Sequence, residues 1–156
     1  MFARSISKKF CNIGSVARST TIGRFASTAV FNWGSAENGA LGHKNYDDIT
    51  REPRRLVKSK QYKDVSCGEN YSLAIDHSGN LFGWGTGPNS FNNPTPVHIP
   101  VPSGAQVAKV IAGPRHASCI DAEGNMYTWG KQKSGWFSGG GQLGHGDSLT
   151  STDEPT

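Results

Sequence analysis

Between Arg51 and Lys63 the chain places Arg51, Arg54, Arg55, Lys58, Lys60 and Lys63, six cations in 13 residues, with Glu52 the one acid among them. Such a cluster can contact RNA phosphates or an acidic protein, and it can equally block the edge of a sheet against pairing with another chain. Trp136 and Phe137 stand together among Gly and Ser, where aromatics either anchor a partner or pack back over their own sheet. Groups suited to bond-making chemistry are scarcer. Gly139-Gly140-Gly141 lacks the Lys-Ser/Thr that completes a phosphate loop and opens no helix, so it reads as a turn. His43 and His145 each close a Leu-Gly-His triplet; a residue that recurs with its neighbours has a structural task, whereas a catalytic group need occur only once. His77 and His98 read as exposed turn and edge residues. Cys67 and Cys119 have no zinc-ligand spacing and read as buried small residues of a reducing compartment. No Ser, His and Asp constellation stands out, and nothing calls for a cofactor or metal, so the residue inventory describes a binding protein rather than an enzyme.

The elements that must carry these residues are set by an internal repeat. Asp-x-x-Gly-Asn-x-x-x-Trp-Gly occurs from Asp76 to Gly85 and again from Asp121 to Gly130, 45 residues apart, and Gly68 and Gly113 keep the same offset. A period of about 40 to 50 residues with a Trp-Gly signature is that of β-propeller blades. In Tyr71 to Ile75 the large Tyr71, Leu73 and Ile75 alternate with Ser72 and Ala74, the period of a strand with bulk on one face and small groups on the other. Asp76 to Gly79 and Asp121 to Gly124 fit tight hairpin turns, with a carboxylate to accept turn amides and a Gly free to take positive φ. Further strands are expected at Lys63 to Ser66, Val107 to Ala112, Pro53 to Val57 and Pro96 to Ile99, giving four short strands per period and an all-β fold.

Trp33-Gly34 begins an earlier copy that continues through Gly39, Leu41, Gly42 and His43; Trp84-Gly85 and Trp129-Gly130 begin later ones, the last reaching Gly141, Leu143, Gly144 and His145. Trp-Gly, Gly-x-Leu-Gly-His, a proline, a Gly and Asp-x-x-Gly in this order resemble the regulator of chromosome condensation repeat, whose members form seven-bladed propellers. The resemblance implies a partial β-propeller with a leader at 1–29, repeats at 30–80 and 81–125, and a truncated third at 126–156. The second repeat lacks the Leu-Gly-His element, and the third carries an insertion, Lys131 to Gly140. Gly113-Pro114-Arg115-His116 falls where the related plant ultraviolet-B photoreceptor has a Trp, absent here, so light sensing is set aside.

Residues 1 to 30 hold Arg4, Lys8, Lys9, Arg18 and Arg24, eight Ser or Thr and no acid, the composition of a mitochondrial transit peptide. Phe2, Ile6, Phe10, Ile13 and Ala17 would share one face of a helix, and Arg24 to Ser27 resembles a matrix-protease site. Without this segment the chain has 11 Lys plus Arg against 12 Asp plus Glu, so the basic balance belongs to the leader. The alternative is a disordered basic tail used near chromatin. Seven blades of about 50 residues need about 350, so a truncated product of a longer gene is expected, one that is not by itself a competent exchange factor. For full-length relatives the resemblance implies guanine-nucleotide exchange on a GTPase, in the mitochondrial branch an inner-membrane fusion GTPase, or assistance to mitochondrial ribosomal RNA and ribosome assembly. A nuclear chromatin-associated exchange factor and an inert fragment are the other readings.

Overall fold

The computed structural model describes residues 12–17, 28–44, 49–56, 60–88, 92–131, 141, 143–146, 151–152 and 154–156. The chain forms β1 (Asn12–Ala17), β2 (Thr28–Ser35), β3 (Ile49–Arg55), β4 (Tyr62–Cys67), β5 (Tyr71–Asp76), β6 (Leu81–Thr86) and β7 (Asn92–Ile99). It continues with β8 (Val107–Ala112), β9 (His116–Asp121), β10 (Met126–Lys131) and β11 (Ser151–Thr152). They pair antiparallel into three sheets, β1-β2-β3, β4-β5-β6-β7 and β8-β9-β10-β11. β4, β5 and β6 are followed 45 residues later by β8, β9 and β10, so the second and third sheets are the same unit. Each repeat as cut at 30–80 and 81–125 contributes two strands to one sheet and two to the next, which ties neighbouring sheets together through the chain.

The alternation of β5 has the consequence expected of it. Tyr71, Leu73, Ile75 and Leu81 are buried against Val107, Val110, Ala117, Cys119 and Trp129 of the third sheet. Ala74, Phe82 and Trp84, on the opposite face, are buried with Tyr62 against Val30 and Leu56 of the first. The second sheet is therefore covered on both faces, and its β5 and β6 are buried over nearly their whole length. Tyr71 crosses the boundary with its hydroxyl, which lies 2.8 Å from the carbonyl oxygens of both Gly113 and His116. Ser66 Oγ and Asp64 Oδ2 accept the N–H groups of Ala112 and Val110 in β8, adding polar links to the apolar stacking.

The two hairpin turns form as expected. Asp76 accepts the backbone N–H groups of Ser78 and Asn80 and the Asn80 side-chain amide, all at 2.9 Å. Asp121 repeats this with Glu123 and Asn125 and adds the Tyr127 hydroxyl at 3.0 Å. Gly79 and Gly124 sit at φ 83° and 91°, where residues with a Cβ are strained. In β7 the ladder is interrupted opposite Trp84, between the pairs Gly83 with Val97 and Gly85 with Asn93; β3 shows the same interruption opposite Trp33. Pro53, Pro94 and Pro96 fall in those interrupted stretches, where no N–H is required of them.

One expectation is corrected. The helical face drawn through Ile13 and Ala17 is absent: Asn12–Ala17 pairs along β2, Asn12 opposite Trp33 and Ala17 opposite Thr28. The β-branched and small residues Ile13, Gly14, Ser15 and Val16 suit a strand, and the open edge of β2 supplies a pairing that helical periodicity cannot register. Phe2, Ile6 and Phe10 lie outside the described residues.

Candidate protein-binding edge

The basic cluster begins on β3, which starts four residues before Pro53 because β2 supplies a partner as far as Ser35. β3 is the outer strand of its sheet, and Arg51, Glu52, Pro53, Arg54 and Arg55 are all exposed. Arg54 stands opposite Asn32 and Arg55 opposite Phe31, so the two guanidinium groups leave the strand on opposite faces. Burial, and secondarily the charge of Arg54, hold the His43 imidazole below its ordinary range, favouring the neutral ring. Of the remaining cations, Lys60 is exposed, with its Nζ 3.8 Å over the Phe82 ring and its charge helping to hold the Asp76 carboxylate. Lys63 is exposed on β4, and Lys58 lies outside the described residues, as do Trp136 and Phe137. Among the described residues, Arg51, Arg54 and Arg55 share the exposed outer strand β3, with Lys60 and Lys63 exposed beyond it.

The Leu-Gly-His loops are anchored on the Trp-Gly strands. Asn32 Nδ2 donates to the Leu41 carbonyl at 2.8 Å, and at the equivalent place Thr128 Oγ1 donates to the Leu143 carbonyl at 2.6 Å. Thr128 Oγ1 also lies 2.8 Å from His145 Nε2; its hydrogen is committed to Leu143, so the ring must be the donor. In the first copy this second bond is missing, and Asn32 Oδ1 and His43 Nε2 are buried with no hydrogen-bond partner. The same loop reaches the second sheet, where the Ala40 carbonyl accepts from Trp84 Nε1 at 2.9 Å and Ser72 Oγ at 3.2 Å. Sequence reasoning missed Asn32 and Thr128. The available signal was the residue before each Trp: it is polar where a Leu-Gly-His element follows and is Gly83 where that element is lacking.

Of the other sequence candidates, His77, His98 and Cys119 occupy the places read for them, whereas Cys67, expected to be buried, is only partly so at the end of β4. His77 is in an exposed turn, and His98 is exposed on the outer strand β7, edge-on to Phe82 with ring centroids 5.7 Å apart. Cys119 is a free, buried thiol pushed up to about 12, chiefly by burial and then by Asp121, and it is therefore not a thiolate at neutral pH. Among the described residues no group of three or more His, Cys, Asp or Glu could hold a metal ion, and no helix is long and apolar enough to cross a membrane.

The arrangement of Trp-Gly strand, anchored loop, outer strand and Asp-x-x-Gly hairpin is what the comparisons recognise. Residues 29–75 match the regulator of chromosome condensation (RCC1) repeat. Human E3 ubiquitin-protein ligase HERC2 is 38% identical over 61 residues, 37% of this chain and 1% of HERC2. Zebrafish (Danio rerio) serine/threonine-protein kinase Nek8 is 34% identical over 88 residues, 49% of this chain and 12% of the kinase. The RCC1-like architecture extends beyond the matched repeat. The human WBSCR16 structure covers 82% of this chain at TM-score 0.66 and 20% identity, the chain spanning 32% of it. Prp20p of Saccharomyces cerevisiae, described with its binding properties to Gsp1p and histones, covers 82% at TM-score 0.65 and 20% identity, the chain spanning 33% of it. The fold is thus a partial β-propeller of RCC1-like repeats.

Proposed function

We propose that this chain belongs to a non-enzymatic, mitochondrial propeller scaffold facing the matrix, which docks a GTPase through Arg51, Arg54 and Arg55. The observation that carries the binding role is the exposed cluster of Arg51, Arg54 and Arg55 on an outer strand of an RCC1-like sheet. Guanine-nucleotide exchange is the activity such a scaffold would serve, since stabilising an empty nucleotide pocket needs a rigid contact and no covalent chemistry. Ribosomal RNA is the second ligand the arginines suit, and binding to it would fall steeply with salt. The acid-free leader supports the mitochondrial setting. The likeness to Prp20p favours the alternative, a nuclear exchange factor with residues 1 to 30 as a basic arm.

A fluorescent reporter carrying residues 1 to 30 separates the two. The mitochondrial reading expects the reporter to be imported and shortened, and import to be lost when Arg4 and Lys8 are replaced by Glu. Nuclear accumulation, or unaffected import of the double variant, would contradict it.

A further inference from the structure

His43 is held differently from its counterpart His145. Asn32, 0% exposed, donates its Nδ2 hydrogen to the Leu41 carbonyl and leaves Oδ1 without a partner, and His43 Nε2 is buried without one as well. In the third sheet the same places hold Thr128 and His145, whose Oγ1 and Nε2 lie 2.8 Å apart. The strand opposite differs too. Thr128 exchanges backbone hydrogen bonds with Thr156 at 3.0 and 3.2 Å, whereas Asn32 stands opposite Arg54.

Opposed residues of an antiparallel pair leave the same face with Cβ atoms about 5 Å apart. The Arg54 side chain therefore starts beside Asn32, and so beside the loop that Asn32 anchors. Its charge reaches the imidazole and, after burial, is the second cause that keeps the ring neutral. From the other elements packed on this loop come neutral groups: Trp84 and Ser72 of the second sheet bond the Ala40 carbonyl, and the Pro94 carbonyl of β7 accepts the Lys44 N–H at 3.2 Å. The loop's own charged residues, Glu37 and Lys44, are exposed. Arg54 is exposed as well, so one guanidinium faces both solvent and a ring whose Nε2 is enclosed.

We propose that docking of an acidic protein surface on Arg54 is coupled to uptake of a proton by His43. The coupling rests on the arginine edge being a docking site, and it makes that site responsive to pH. A carboxylate set against Arg54 offsets the cation that opposes a second proton on the ring and brings a negative charge of its own, so the imidazolium is favoured more in the complex than in the free chain. The proton comes from solvent, and no covalent bond of the chain changes. An acceptor is at hand for the ring N–H, because Asn32 occupies the place of Thr128 and its Oδ1 lacks a partner. By linkage, binding that takes up a proton tightens as pH falls. The free ring titrates below 6.5 and the ring in the complex higher than the free one, so the gain appears below about pH 6.5 and levels off once the free ring is itself protonated. The third-sheet loop lacks the device, since Thr156 brings no charge to the place that Arg54 holds.

The test uses the full chain with hexaglutamate as the acidic probe, followed by calorimetry at about pH 7.5 and about pH 5.5, both above the titration of the probe's own carboxylates. Affinity is expected to rise by about threefold or more at the lower pH, the equivalent of about half a unit in the ring's titration. Proton uptake should show as a binding heat that varies with the ionisation enthalpy of the buffer, and a His43→Gln variant should lose both effects. Nuclear magnetic resonance of the His43 ring gives a readout that needs neither that variant nor a GTPase. The ring should titrate at higher pH in Arg54→Gln than in the wild type, and at higher pH in the wild type saturated with hexaglutamate than without it. A ring that titrates alike in the wild type and Arg54→Gln, or that does not respond to bound hexaglutamate, would overturn the coupling and leave the docking site standing. A folded chain that binds hexaglutamate at neither pH, or that binds an oligouridylate in its place, would overturn the docking site and the coupling together.

Discussion

The hairpin glycines share a backbone conformation but not a neighbourhood. A Cβ at Gly79 would lie 2.8 Å from Gln106 Cβ and 3.1 Å from its Cα, whereas a Cβ at Gly124 would meet nothing within 4 Å. Both variants to Val carry the strain of positive φ, about 1 to 3 kcal/mol, and only Gly79→Val adds a clash at the boundary between sheets. Urea unfolding of the full chain should therefore show a clearly larger loss for Gly79→Val; equal losses, or the reverse order, would mean that the turn is not wedged against Gln106. The turn carboxylates predict an acid limb of stability. Burial opposes the charged forms of Asp76 and Asp121, yet the hydrogen bonds they accept outweigh it and hold both below 3.8. A carboxyl depressed on folding contributes stability that is complete above its unfolded value and is lost as pH falls below about 3.8 toward the folded value. His43, lowered from 6.5 by burial and Arg54, destabilises the fold in a separate and higher window, as pH falls below about 6.5 and the ring takes a proton. An unfolding midpoint followed from pH 7 downward should fall in two limbs, the upper one removed by His43→Gln and the lower one weakened by Asp76→Asn with Asp121→Asn; a single limb that survives all three substitutions would contradict this.

At the scale of elements, the anchoring of the Leu-Gly-His loop gives the sharpest contrast between copies. Replacing Asn32 by Thr should let one hydroxyl donate to Leu41 and accept from His43 Nε2, as Thr128 does between Leu143 and His145. Removing two buried unsatisfied groups should stabilise the chain by about 1 kcal/mol; a loss of stability in urea would show that the two loops are not equivalent. The repeated strands were legible in the sequence because their evidence is local. Alternating Tyr71, Leu73 and Ile75, the Asp76 and Asp121 turns, and the 45-residue offset locate β5, β6, β9 and β10 to within about two residues. The strand at Asn12–Ala17 was not legible, since its pairing depends on the edge of β2 rather than on its own pattern. The same holds for the start of β3 at Ile49, where the proline at 53 suggested a later beginning and the ladder with Ser35 decides otherwise. The candidate site was half legible: the arginines were found by charge, but the seat of Lys60 over Phe82 and the loop anchors Asn32 and Thr128 are contacts over long separations.

For the whole molecule, the stacking of sheets divides its surfaces into two kinds. Faces that lie between sheets are buried and largely apolar, with Tyr71, Leu73, Ile75 and Leu81 meeting Val107, Val110 and Trp129. The edge strands β3 and β7 carry prolines, and β3 carries three exposed arginines, which resist further strand addition and leave that edge free to meet a partner of opposite charge. Partner binding as proposed at the edge of Arg51, Arg54 and Arg55 would be electrostatic in character. Its most direct test is the affinity of the full chain for a nucleotide-depleted, matrix-facing GTPase of the inner-membrane fusion machinery, measured by fluorescence anisotropy at two salt concentrations beside an Arg54→Glu, Arg55→Glu variant. The account predicts binding that weakens as salt rises and a loss of about tenfold or more in the variant, with its unfolding midpoint unchanged. No binding by a folded wild-type chain, or an affinity that survives both charge reversals, would contradict it.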